Sequence, residues 1–92
     1  MADKRVHVFY SGHVQGVGFR YTAHSIASRL GLCGWAKNLR DGRVEVVCEG
    51  EEKKLKMFLD SMVNEFPEHY IMDADVAWKE PTREFNGFSI SF

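Results

Sequence analysis

The stretch GHVQGVGFR, residues 12 to 20, sets glycines at positions 12, 16 and 18 and ends on an arginine. Without Cβ atoms, Gly12, Gly16 and Gly18 let the backbone turn sharply, so that consecutive N–H groups can face inward and cradle an anion. Arg20 adds a planar, permanently charged fork of five donors that matches phosphate oxygens. The chemistry this pattern can do is capture of a phosphoryl group. Spacing alone also fits a plain turn with an arginine in solvent, the more ordinary reading of a glycine-rich loop.

Two familiar nucleotide cradles do not fit. The P-loop pattern G-x-x-x-x-G-K-[ST] lacks its lysine and hydroxyl here, and G-x-G-x-x-G is incomplete after Gly18. His7, His13, His24 and His69 show neither ligand spacing nor a partnered nucleophile. Cys33 and Cys48 have no C-x-x-C spacing and too few companions for a zinc site. No metal and no cofactor is expected.

The bulk numbers narrow the partners. Ninety-two residues are room for one domain, 1–92, whose site must lie on the loops of the core fold. A composition of 45% hydrophobic and 27% charged residues is that of a folded globular chain. Twelve basic against thirteen acidic residues, a net charge of -1, lack the footprint of a phosphate-backbone binder, so no nucleic acid is expected. No apolar run is long enough for a signal peptide or a membrane span, and a cytoplasmic protein with no membrane partner, acting as a monomer, is expected.

The elements that must position the loop follow from periodicity. RVHVFYSG alternates as a strand ending at Gly12. Phe19, Thr22 or Ala23, Ile26 and Leu30 make one helical stripe, stopped at Gly31, so a helix's positive end adds to the candidate cradle. LCGWAKNL and RVEVVCEG are strands joined at residues 39 to 42 by a hairpin containing Asp-Gly. EEKKLKMFLDSMVNEF is a helix with Leu55, Phe58, Leu59, Met62 and Phe66 on one face. ADVAWKE and GFSISF are further strands, the last one short, and PEHYIMD between helix and strand is less readable.

Two helices with one apolar stripe each need one shared surface. The economical answer is an α+β, two-layer α/β sandwich of ferredoxin-like β-α-β-β-α-β order, with an antiparallel-rich sheet of four to five strands and both helices on one face. The first two strands are then parallel with the third between them. Their C-terminal ends share a sheet edge, about 10 Å apart, a gap suited to a small ligand. A hairpin loop of 39 to 42 would set Asn38 opposite Arg43 and Cys33 opposite Cys48. Opposed Cβ atoms are spaced more widely than a relaxed disulfide prefers, and two small buried thiols are expected.

At this point the motifs become specific. GHVQGVGFR resembles the acylphosphatase fingerprint G-x-V-Q-G-V-x-F-R at Gly12, Val14, Gln15, Gly16, Val17, Phe19 and Arg20. GWAKNLRDGRVEVVCEG is similar to the family's second signature at Gly34, Trp35, Lys37, Asn38, Gly42, Val44 and Gly50. Tyr10, just before the first of these stretches, departs from the family pattern, which more often has an aliphatic residue there. The resemblance spans essentially the whole chain and implies metal-independent hydrolysis of a small acyl phosphate to carboxylate and inorganic phosphate. It puts Arg20 and Asn38 at the two catalytic positions and the amides of Gln15, Gly16, Val17, Gly18, Phe19 and Arg20 around the phosphate.

The chemistry is consistent with those roles. Phosphoryl transfer through a loose transition state needs positioning and charge stabilisation more than covalent catalysis. A carboxylate leaving group needs no general acid. Asn38 offers a neutral acceptor and donors to orient water beside a dianion, where an aspartate would be repelled. Two other readings stay open on residues alone. One is a non-catalytic ferredoxin-like small-molecule-binding or regulatory module. The other is an RNA-recognition domain, which GVGFRY loosely echoes but places before a helix rather than on a central strand.

Overall fold

The computed structural model describes residues 3–92. Its elements run β1 (Asp3–Gly12), α1 (Phe19–Arg29), β2 (Cys33–Asn38), β3 (Val44–Glu51), α2 (Glu52–Glu65), β4 (Ile71–Lys79) and β5 (Phe88–Ser91). The five strands form one sheet in the order β4-β1-β3-β2-β5, and both helices pack on it as the ferredoxin-like reading expects. Among the described residues no helix is long and apolar enough to cross a membrane.

Alternation decides the sheet's inner face. Val6, Val8 and Tyr10 of β1 and Val44, Val46 and Cys48 of β3 are buried in the core with Phe19, Ala23, Ile26 and Ala27 of α1. Leu55, Phe58 and Met62 of α2 are buried there too, while Leu30, Leu59 and Phe66 lie at its margin. Burying each large apolar side chain contributes about 1.5–3 kcal/mol, which is why both helices settle on the same face. Helix α1 ends in a Schellman motif: Gly31 N–H donates to Ser28 O at 3.1 Å and Leu32 N–H to Ala27 O at 2.8 Å.

Strand β3 is antiparallel to both β1 and β2, so those two run parallel and end at the same sheet edge. Strand β5 is parallel to β2, with Ser91 beside Lys37. Three strand ends therefore meet where the glycine-rich loop begins. At that edge the β1–β4 register shifts between Ser11 and Gly12, a bulge that releases the chain from the sheet.

The β2–β3 loop is longer than the expected 39 to 42. Asn38 pairs with Val44, and Arg43 joins the loop because the Asp41 carboxylate accepts from its backbone N–H at 3.1 Å and its Nε at 2.8 Å. The shift sets Cys33 opposite Glu49 and Cys48 opposite Gly34. Neighbours on a strand face opposite ways. Both thiols are free as expected, but they are not opposed and only Cys48 is buried in the core, whereas Cys33 is half-buried on the outer face with Glu49. Burial pushes both thiols above their ordinary pKa, with the Glu49 charge adding to the effect on Cys33 and Cys33 adding to that on Cys48.

Candidate active site

The loop between β1 and α1 turns inward at Gly16 (φ 75°) and Gly18 (φ 76°), left-handed conformations that a side chain would strain. Gly18 is also the N-cap of α1, so no side chain caps the helix, and its first turn carries no acid. The leading N–H groups have no partner inside the helix, and the dipole adds partial positive charge at the same end. Such a terminus is built for an anion.

Arg20 follows in the first turn and is not left in solvent. Its Nη1 donates to the Ser91 carbonyl at 2.9 Å, and the guanidinium carbon lies 4.8 Å from the centroid of the Phe92 ring. That contact uses one of five donors. Among the described residues no carboxylate pairs with Arg20, so its charge is uncompensated within the cleft.

A cleft of about 170 Å³ is lined by Val14, Gly16, Gly18, Phe19, Arg20, Tyr21 and Asn38. Arg20 and Asn38, eighteen positions apart in the chain, thus share one small hollow. Asn38 is half-buried at the end of β2, and its side-chain amide has no hydrogen-bond partner among the described residues. Two larger hollows lack these features. One of about 550 Å³ mixes Lys4, Lys56 and Lys79 with Glu52 and Glu80 beside Trp78. One of about 490 Å³ has Phe66, Pro67, Ile71 and Met72 in its wall beside Asn64, Glu68 and Asp73. Only the smaller cleft of the three brings Arg20 and Asn38 together.

Of the six expected loop residues, Gly16, Gly18, Phe19 and Arg20 line the cleft, whereas Gln15 and Val17 do not. Val17 packs against the core. The side chain of Gln15 turns to the β2–β3 loop, donating through Nε2 to Leu39 O at 2.7 Å and Arg43 O at 2.9 Å. Phe19 is buried, stacked on Phe66 at 4.8 Å and edge-on to Tyr10 at 4.9 Å, which fixes where the helix begins. Tyr10 itself is in the core, and its hydroxyl is the one buried side-chain polar atom without a partner among the described residues.

Three contributors were not legible in advance. Ser91 and Phe92 hold Arg20 through a backbone carbonyl and a ring face, and neither leaves a motif. Tyr21 is 60% exposed at the cleft's rim. The outward-facing residue after Arg20 on a helical wheel was its only signal. The four histidines stay outside the cleft: His7 contacts Glu45 on the outer face, His13 and His69 flank Tyr70, and His24 meets Phe88. Among the described residues no three His, Cys, Asp or Glu side chains converge as a metal cage requires.

Comparison with known proteins agrees with this geometry. The acylphosphatase family model matches residues 6–90. The chain is 48% identical over 87 residues to an acylphosphatase of Roseiflexus sp. (strain RS-1), covering 94% of this chain and 92% of that one. It is 45% identical over 89 residues to an acylphosphatase of Marinobacter nauticus, covering 96% of each. Its fold superposes on the crystal structure of acylphosphatase from Bacillus subtilis with a TM-score of 0.90 and 36% identity, covering 97% of this chain and 99% of that one. With a matching model over nearly its whole length, relatives of equal size and a shared fold, the chain belongs to the acylphosphatase family.

Proposed function

We propose that this chain, acting as one domain over 1–92, hydrolyses the carboxyl-phosphate bond of small acyl phosphates. The observation that carries the reading is a single hollow lined by an uncapped helix N-terminus and by an arginine without a carboxylate partner and an asparagine amide without a hydrogen-bond partner among the described residues.

The phosphoryl oxygens take N–H groups of the cleft-lining Gly16, Gly18, Phe19 and Arg20 together with the remaining side-chain donors of Arg20. Donors aimed at developing charge stabilise the transition state more than the ground state. Asn38 accepts a hydrogen bond from a water molecule and holds it in line with the P–O bond to be broken. The water oxygen bonds to phosphorus as the bond to the acyl oxygen breaks, and that electron pair leaves with the carboxylate. The proton shed by the water stays on the phosphate, so the dianion R–CO–O–PO₃²⁻ plus water gives R–COO⁻ and H₂PO₄⁻, which can then release a proton to solvent as HPO₄²⁻. The leaving carboxylate is a weak base, and the step as drawn calls on neither a general acid nor a metal.

The acyl group would extend past the rim at Tyr21, where an exposed ring offers apolar contact to any acyl chain. The test is release of inorganic phosphate from acetyl phosphate by the purified protein in excess chelator. Turnover above the spontaneous rate supports the reading, and its absence with and without added Mg²⁺ favours a non-catalytic anion-binding module.

A further inference from the structure

The side chain of Gln15 does not face the cleft although it opens the phosphate loop. Its Nε2 lies 2.7 Å from Leu39 O and 2.9 Å from Arg43 O. Two carbonyl acceptors fix the amide's orientation, because the flipped amide would set its oxygen against both. Each carbonyl already accepts within the loop: Arg43 O from Leu39 N at 2.8 Å, and Leu39 O from Gly42 N at 3.2 Å. Gln15 is therefore a second closure on residues 39 to 43, supplied from 24 and 28 positions away in the chain.

Asn38 immediately precedes the first of those carbonyls, and among the described residues its own side chain has no partner to fix it. Its direction is set by the backbone at residues 38 and 39. Carbonyls released from Gln15 would be solvated by water, so the loop would loosen without the sheet coming apart. We propose that Gln15 is a positioning residue for Asn38, locking the water-orienting amide to the loop that grips the phosphoryl group.

The proposal rests on the reading of Asn38 given above and makes a separate prediction. It places the loss in turnover and leaves phosphate capture alone, because the loop's N–H groups and Arg20 do not depend on the Gln15 side chain. Gln15→Met keeps the length and removes both donors. A misdirected water costs on the order of 10- to 100-fold in kcat. Inhibition by inorganic phosphate should stay within about threefold of the parent, in line with loss of a contact that acts only in the transition state. Because Gln15 acts through Asn38, Gln15→Met should slow an Asn38→Ala protein by less than about twofold, the signature of coupled sites.

The experiment measures kcat for acetyl phosphate and the competitive inhibition constant of inorganic phosphate for the parent, Gln15→Met, Asn38→Ala and the double variant, with a thermal melt of each. Full turnover in Gln15→Met, a parallel loss of phosphate affinity, or multiplicative losses in the double variant would overturn the proposal. If Asn38→Ala itself turns over normally, the reading of Asn38 has failed. If only Gln15→Met does, this inference has failed. Should the Met variant not fold, Gln15→Glu keeps the shape but presents only acceptors when ionised. Protonation returns one donor, so its kcat relative to the parent should rise as pH is lowered into the carboxyl range, and a flat ratio would count against Gln15.

Discussion

Arg20 is tied to Ser91, 71 positions along the chain, by a hydrogen bond of 2.9 Å from Nη1 to the Ser91 carbonyl. The bond exists because β5 runs parallel to β2 and brings its C-terminal end to the edge where the loop begins. One donor spent on a neutral carbonyl aims the guanidinium and, on the proposed reading, leaves its charge for the phosphoryl group. Arg20→Ala should lower kcat/KM for acetyl phosphate by about 10²-fold or more, as loss of an aimed donor does. Arg20→Lys keeps the charge without the fork and should stay defective. Near-parent turnover in Arg20→Ala would remove the basis for the proposed site.

Phe92 supplies the face on which the same guanidinium rests, although the ring is itself 87% exposed. Cation–π contacts at exposed sites contribute about 0.5–1 kcal/mol. Phe92→Ala should therefore raise the inhibition constant of inorganic phosphate by about two- to fivefold, with the melting temperature little changed. An unchanged constant would mean the ring does not help to hold Arg20.

On the proposed reading, Asn38 acts on the water rather than on the phosphoryl group. Asn38→Ala should cut kcat by about 10²-fold or more while sparing phosphate inhibition, since the amide is assigned to the water. Asn38→Asp sets a carboxylate in a cleft built for an anion and should weaken phosphate binding as well. Initial-rate kinetics with phosphate as inhibitor distinguish the two outcomes, and equal behaviour of both variants would argue against a role in orienting water.

Tyr10 is an untapped source of stability. Its ring fills the core between the sheet and Phe19, but its hydroxyl has no partner among the described residues and burial drives the phenol's pKa far up, with Cys48 adding to the effect. A buried unsatisfied group costs about 1–3 kcal/mol. Tyr10→Phe removes the hydroxyl and keeps the ring, so it should raise the melting temperature by at least about 4 °C, as 1 kcal/mol does in a domain of this size. A lower melting temperature would show that the hydroxyl is satisfied in solution.

The elements with a buried face were legible because burial imposes a period. Val6, Val8 and Tyr10 mark β1, and Leu55, Phe58 and Met62 mark α2, without help from any motif. Strand β4 was legible only from Ala74 onward. It lies at the sheet edge with Met72, Asp73, Ala74 and Asp75 all exposed, so no alternation signals its start at Ile71. Arg20 and Asn38 could be named because they stand at fixed places in two signatures. The Gln15 bridge and the Ser91 carbonyl could not, since both depend on backbone atoms that carry no residue identity. The hairpin register slipped by one for a related reason: Asp41 closes on Arg43 through its side chain, which loop length alone does not reveal.

Glu49 makes the last prediction, and it concerns acid stability. Its carboxylate is 3% exposed on the outer face of β3. It accepts from Arg5 Nη1 at 3.0 Å, Thr82 N at 2.9 Å, Thr82 Oγ1 at 3.0 Å and Arg83 N at 2.9 Å. These contacts fasten the β4–β5 connection, including Arg83 at φ 59°, to the sheet. Burial pushes the Glu49 pKa up, but the Thr82 and Arg83 amides, the Thr82 hydroxyl and Arg5 together outweigh it and hold the carboxyl below its ordinary 4.5. A group with a depressed folded pKa stabilises fully above its unfolded value, and that contribution is lost as pH falls through the folded value. Glu49→Gln should thus lower stability at neutral pH by about 1–3 kcal/mol, the worth of hydrogen bonds to a charged acceptor. The gap from the parent should narrow as the pH drops below 4.5. Urea midpoints across that range decide it, and a gap that stays constant from neutral to acid pH would show that the charge on Glu49 does not hold the connection.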